Sequence, residues 1–140
     1  MPRKPKDEDY RRLLEFRTGL RRFLRWSEEQ AEAAGVTPLQ HQLMLAIRGT
    51  DDPRGPTISA VAVALVSKHH SVVELVDRAE AAGLVRRVQD AKDHRLVRLE
   101  LTRDGERILD ELGALTVEEL SRLAPRMREM WRGLELAGRA

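Results

Sequence analysis

The chain has 140 residues, 25 Lys/Arg against 23 Asp/Glu for a formal net charge of +2, and no cysteine. That length fits one domain with a real core, and the missing cysteines exclude a disulfide framework, a thiolate zinc site and a thiol redox sensor. The longest purely apolar run, Ala60 to Val66, falls far short of the ~20 residues of a membrane span, and no apolar segment follows the basic start Met1-Pro2-Arg3-Lys4-Pro5-Lys6. No signal peptide and no membrane partner are therefore expected, and the expected setting is a reducing cytoplasm.

The charge is unevenly placed. Residues 1–25 carry nine Lys/Arg against four Asp/Glu, residues 26–83 four against eight, and residues 84–105 six against four. Two basic zones thus stand on a near-neutral body.

From Asp7 to about Ala34 the chain reads as one long helix. Asp7, Glu8 and Asp9 suit its positive end. Tyr10, Leu13, Phe16, Leu20, Phe23 and Leu24 recur three or four apart, and Gly35 stops the run. Gly19 has no explanation in this pattern. A second helix starts at Pro38 behind the cap Thr37, with Leu39, Leu43, Met44 and Ile47 on its apolar face. Gly49 to Pro56 is a turn-rich loop.

Thr57 caps a short helix from Ile58 to about Leu65. A break at Val66-Ser67-Lys68 leads to another, from about His69 to Ala82, closed by Gly83. Helices joined by so short a break must cross steeply, which is helix-turn-helix geometry. The usual turn glycine is absent, and Val66 stands near its place.

Leu84 to Gln89 and Leu96 to Leu101 then read as two strands around the charged tip Asp90-Ala91-Lys92-Asp93-His94-Arg95. Val97, Leu99 and Leu101 alternate with Leu96, Arg98 and Glu100, the period of a half-buried strand. A short hairpin with a charged tip beside a helix-turn-helix is a wing. Thr102 caps a last helix from Arg103, with an apolar stripe at Ile108, Leu112, Leu115, Leu120, Leu123, Met127, Met130 and Leu134. Gly113 is a place for a bend, and Pro125 either kinks this helix or opens a separate one.

The expected fold is mainly α with a small two-stranded β-wing: a winged helix-turn-helix over residues 37–105, flanked by dimerisation helices over 7–35 and 106–140. The terminal stripes are longer than the small middle can cover, and a second copy is the simplest partner. Leu13, Phe16, Leu20, Leu120, Leu123, Met127, Met130 and Trp131 are the expected dimer contacts, with Trp26 beside them.

A winged helix-turn-helix reads double-stranded DNA with its second helix in the major groove and its wing on the minor groove. Val72, Leu75, Val76 and Ala79 face inward. Lys68, His69, His70, Ser71, Glu74 and Arg78 are left to meet DNA, with Asp77 either discriminating or turned away. On the wing, Arg95 is the groove residue and Asp93 can pair with it bidentately. Lys92, His94, Arg86, Arg87 and Arg98 are placed to touch phosphates.

These residues match a known pattern. From about Tyr10 to Leu134 the chain resembles the MarR (multiple antibiotic resistance regulator) transcription regulators. The hallmark Asp-x-Arg, short strand, Leu-Thr-x-x-Gly is Asp93-His94-Arg95 through Leu101-Thr102-Arg103-Asp104-Gly105, and Val72 to Arg87 is similar to the family's recognition helix and entry strand. Ala79 stands where Leu is common, His94 where a second wing arginine is common, and Lys68-His69-His70 where a Ser-rich start is typical. The resemblance implies a homodimer on a pseudo-palindromic operator, acting as a repressor. It also implies a small-molecule effector pocket walled by the first helix, the neighbourhood of His41, and Ile58 to Leu65.

No cofactor, metal or catalytic residue is expected. Adjacent His69 and His70 point to different sides of a helix, so a metal site would require folding to gather them with His41 and Glu74. Neither His-Glu-x-x-His nor Gly-x-Ser-x-Gly occurs. The alternative function is a winged-helix protein–protein module without DNA binding, motivated by the acids Glu74 and Asp77 on the reading helix.

Overall fold

The structure is a computed structural model, described over residues 2–139. In chain order it has α1 (Asp7–Ala33), α2 (Pro38–Gly49), α3 (Ile58–Ala64), α4 (His69–Ala81), β1 (Val85–Gln89), β2 (Val97–Leu101) and α5 (Arg103–Arg139). The described residues form two compact units, 2–30 with 114–139, and Ala31–Gly113. The long helices α1 and α5 contribute to both.

Local signals set the helix limits of the winged unit. Thr37 accepts from the Gln40 amide, and the Gln40 side chain accepts from the Thr37 amide, a reciprocal capping box with Pro38 behind it. Thr57 caps α3 by accepting from the Ala60 amide at 3.2 Å. Thr102 Oγ1 accepts from the Gly105 amide at 3.0 Å and donates to the Gly83 carbonyl at 2.6 Å, so one hydroxyl starts α5 and ties it to the end of α4.

Three helix ends share one closure. The Val36 amide reaches the Ala31 carbonyl, Ser67 reaches Ala62, and Leu84 reaches Ala79, each a six-residue return around a left-handed residue. Gly35 and Gly83 take that conformation in two of them, at φ 84° and 76°. In the third it is Val66, at φ 51°.

β1 and β2 pair antiparallel, with Val85 opposite Leu101 and Gln89 opposite Val97. The other edge of β2 is met by the α2–α3 loop, where Thr57 bridges Arg98 and the Leu99 amide donates to the Pro56 carbonyl at 2.9 Å. Gly55, at φ 84°, lets this loop close, because a Cβ there would overlap the Leu99 carbonyl oxygen.

The core lies in this unit. Leu43, Met44, Val61, Val72, Val76, Val85, Leu99 and Leu112 are almost wholly buried, and trimming one of the larger side chains to Ala would cost about 2–5 kcal/mol. Ala79 is fully buried too, so neighbouring groups close over the position where a larger side chain was a possibility. Leu39, expected on the apolar face of α2, is instead 64% exposed.

In the other unit α1 and α5 run in opposite directions. Arg3 donates to the Ala137 carbonyl, the Phe16 and Trp131 ring centroids lie 6.0 Å apart, and Glu15 approaches Arg126. Gly19 gains no requirement here: a Cβ at that position would lie 3.4 Å from Met130 Cε, an ordinary contact with the end of a flexible side chain. α5 runs as one helix through Gly113 and Pro125, with no separate final helix. Among the described residues, no apolar side chain of this unit is fully buried; every one in the core belongs to Ala31–Gly113. Among the described residues, no single helix is long and apolar enough to cross a membrane.

Candidate nucleic-acid interface

α3 and α4 meet at 107° across Leu65 to Lys68, within the range of a helix-turn-helix. Val72, Val76 and Ala79 face the core, and Leu75 is half-buried. That leaves Lys68, His69, His70, Ser71, Glu74 and Arg78 exposed along the other side of α4. Lys68, Glu74 and Arg78 have no ion-pair partner among the described residues. Their charges therefore face solvent uncompensated, at the N-terminal half and outer flank of the helix.

Asp77 is turned away from that side. Its Oδ1 accepts from Arg87 Nη2 at 2.6 Å, while Glu80 accepts from Arg87 Nη1 at 2.7 Å and from the Arg87 amide at 3.1 Å. Arg87 thus clamps α4 to β1 rather than projecting outward. Arg86 is also engaged, donating to its cross-strand partner Glu100 at 2.8 Å, although both remain exposed. Such an exposed pair contributes little stability, but it neutralises Arg86 locally.

Arg98 corrects the sequence expectation. Strand alternation places it outward, with the phosphate-contacting group, yet it is 8% exposed. The α2–α3 loop folds over that end of β2. Arg98 Nε donates to Asp90 Oδ1 at 3.1 Å, and Nη1 donates to Asp52 Oδ2 at 3.1 Å and to the Gly55 carbonyl at 3.2 Å. Its donors are directed inward to partners 8, 46 and 43 residues away.

The wing tip is built on two carboxylates. Asp90 Oδ2 accepts from the amides of Lys92 and Asp93, at 3.0 and 2.8 Å. Asp93 Oδ1 accepts from the Arg95 amide and from Arg95 Nε, both at 3.1 Å, and Oδ2 from Nη2 at 3.3 Å. The Arg95 side chain is 91% exposed, so its guanidinium is oriented without being buried. Arg95 holds the Asp93 carboxyl below its usual range, and the amides of Asp93 and Lys92, followed by Arg98, do the same for Asp90. Lys92 and His94 flank Arg95 and are exposed.

Residues 34–96 match the sequence model of the MarR family. Over that segment, which holds the helix-turn-helix and most of the wing, the chain is similar to the MarR family. No curated protein sequence gives a significant match. A MarR family transcription regulator of known crystal structure superposes with a TM-score of 0.78 at 23% identity, over 94% of this chain and 87% of that one. The S. aureus MepR–DNA complex gives 0.69 at 19%, over 86% and 88%. CouR from Rhodococcus jostii RHA1, bound to p-coumaroyl-CoA, gives 0.66 at 22%, over 87% and 88%. At these identities the likeness is one of fold.

The MarR hallmark acquires physical reasons in this chain. Asp93 and Arg95 form the tip pair. Thr102 is the shared cap, and Gly105 is required because a Cβ there would overlap the Leu84 carbonyl oxygen. Among the described residues, no three His, Asp or Glu side chains gather as a metal site. His69 and His70 are exposed while His41 is buried. Sequence reasoning missed the inward turn of Arg98 and the roles of Asp52 and Asp90. The one signal was the acidic Asp51-Asp52 pair in a loop with no other obvious use.

Proposed function

We propose that this chain is a sequence-specific transcription regulator that binds a pseudo-palindromic operator as a homodimer. The observation that carries the reading is the sorting of the wing cations. Arg86, Arg87 and Arg98 are engaged in internal pairs, while Arg95 is held outward at the tip by Asp93. An outward arginine on a rigid ribbon suits a narrow minor groove, where the potential is most negative. Lys68, His69, His70 and Ser71 at the start of α4, with Glu74 and Arg78 on its flank, are the base- and phosphate-contacting set.

The dimer reading rests on the terminal helices. Leu13, Leu120 and Trp131 are exposed, and Phe16, Leu20, Leu123, Met127 and Met130 only half-buried. A unit with no buried apolar side chain of its own is incomplete as a core. Two copies would present two α4 helices one helical turn apart, about 34 Å.

The regulator acts as a repressor by occupying its operator, and an effector that favours another spacing of the two reading helices releases it. MepR with DNA and CouR with p-coumaroyl-CoA are similar chains holding those two kinds of partner. The turn of Asp77 toward Arg87 removes one motive for a protein–protein module. Selection of bound duplexes from a random pool tests the reading. A two-fold symmetric sequence with half-sites about ten base pairs apart is expected; recovery of no preferred sequence would overturn it.

A further inference from the structure

We infer that Arg98, with Asp52, is a positioning residue for the wing: it sets the presentation of Arg95 to DNA without touching DNA itself. This rests on the DNA-binding reading above. The two oxygens of Asp90 have separate duties. Oδ2 holds the tip by accepting from the Lys92 and Asp93 amides, and Oδ1 accepts from Arg98 Nε. Asp93, so held, in turn accepts from the amide and side chain of Arg95. Arg98 is anchored from the other side by Asp52 and the Gly55 carbonyl. A continuous chain of charge-assisted contacts therefore runs from the α2–α3 loop, through a buried guanidinium, to the exposed one.

The Arg98 and Asp90 side chains are only 9% and 6% exposed. A buried ion pair is a poor source of stability compared with apolar packing of the same volume, but its geometry is well defined. Without Arg98, Asp90 Oδ1 loses its buried partner and the carboxylate is free to turn. The tip amides then lose a fixed acceptor, and Arg95 samples more orientations before binding. Ordering it again is a cost charged to the DNA complex. Asp52 belongs to the same loop as Gly55, Pro56 and Thr57, which lies on the β2 edge. A shift of that loop would reach the wing tip through Arg98.

The test has two arms. In the free protein, amide hydrogen exchange at Lys92 and Asp93 is compared between wild type, Arg98→Met and Asp52→Asn. Protection falls in both variants, more in Arg98→Met; unchanged protection overturns the proposal. In the second arm, affinity for the duplex selected by the wild type is measured in a double-mutant cycle with Arg95→Ala. Arg98→Met weakens binding about tenfold when Arg95 is present and less than about twofold when it is absent. Equal losses in both backgrounds mean that Arg98 is merely structural and overturn the inference alone. A wild type that binds no duplex removes the DNA-binding reading and this inference with it. If Arg98→Met does not fold, Asp52→Asn carries both arms, since it takes the charge from one anchor and leaves the Arg98–Asp90 contact in place.

Discussion

Arg98 and Asp90 face each other inside the wing, Nε to Oδ1 at 3.1 Å, both nearly withdrawn from solvent. Removing the cation leaves a largely buried carboxylate without its counter-charge, held only by the Lys92 and Asp93 amides. Arg98→Met should lower the melting temperature by roughly 5–10 °C, measured by calorimetry. An unchanged melting temperature would show that the pair is dispensable to the fold.

Val66 offers the opposite case. It closes α3 in the left-handed conformation that Gly35 and Gly83 adopt elsewhere, and its side chain is 94% exposed, so no packing offsets the strain. A left-handed L-residue costs about 1–2 kcal/mol, and glycine's freedom in the unfolded chain returns part of that. Val66→Gly should therefore stabilise the protein by about 1 kcal/mol in a denaturant titration. A loss of stability would mean that the valine makes a contact worth more than its strain.

His41 is 5% exposed, and its Nδ1 has no hydrogen-bond partner among the described residues. Burial pushes its pKa below the ordinary histidine value. The folded state disfavours the imidazolium while the unfolded state accepts it. Stability is thus full above pH ~6.5 and declines as pH falls toward the folded pKa, with a slope of at most about 1.4 kcal/mol per pH unit. The decline should vanish in His41→Leu. A slope that survives in the variant would assign it to other groups.

The terminal helices make a prediction about assembly. Leu120 is 45% exposed on a helix pair without a buried apolar core. Leu120→Glu should convert a dimer to a monomer in sedimentation equilibrium, while the melting of the winged unit persists. A wild-type chain that is already monomeric at micromolar concentration would contradict the dimer reading.

The element order was legible in the sequence because its signals are local. Thr37-Pro38, Thr57, Thr102, Gly35 and Gly83 act on residues within a turn of themselves, and the structure uses each of them as a helix end. The Asp93–Arg95 pair was legible for the same reason, being two residues apart. Arg98 was not. Strand period places it outward, and only a loop whose acid lies 46 residues earlier in the chain turns that face inward. Arg87 was hidden similarly, since its acids come from another element, 7 and 10 residues away. Val66 concealed its own conformation, because the turn lacks the residue by which such turns are ordinarily identified.

The central claim is that an outward, Asp93-held Arg95 contacts DNA. Titration of wild type and Arg95→Ala against the selected duplex, across a series of salt concentrations, tests it most directly. The variant should keep its fold, lose about 1–3 kcal/mol of binding free energy, and show a shallower salt dependence, by ~0.9 in log–log slope for each phosphate it no longer neutralises. Equal affinity and equal slope for the two proteins would contradict it.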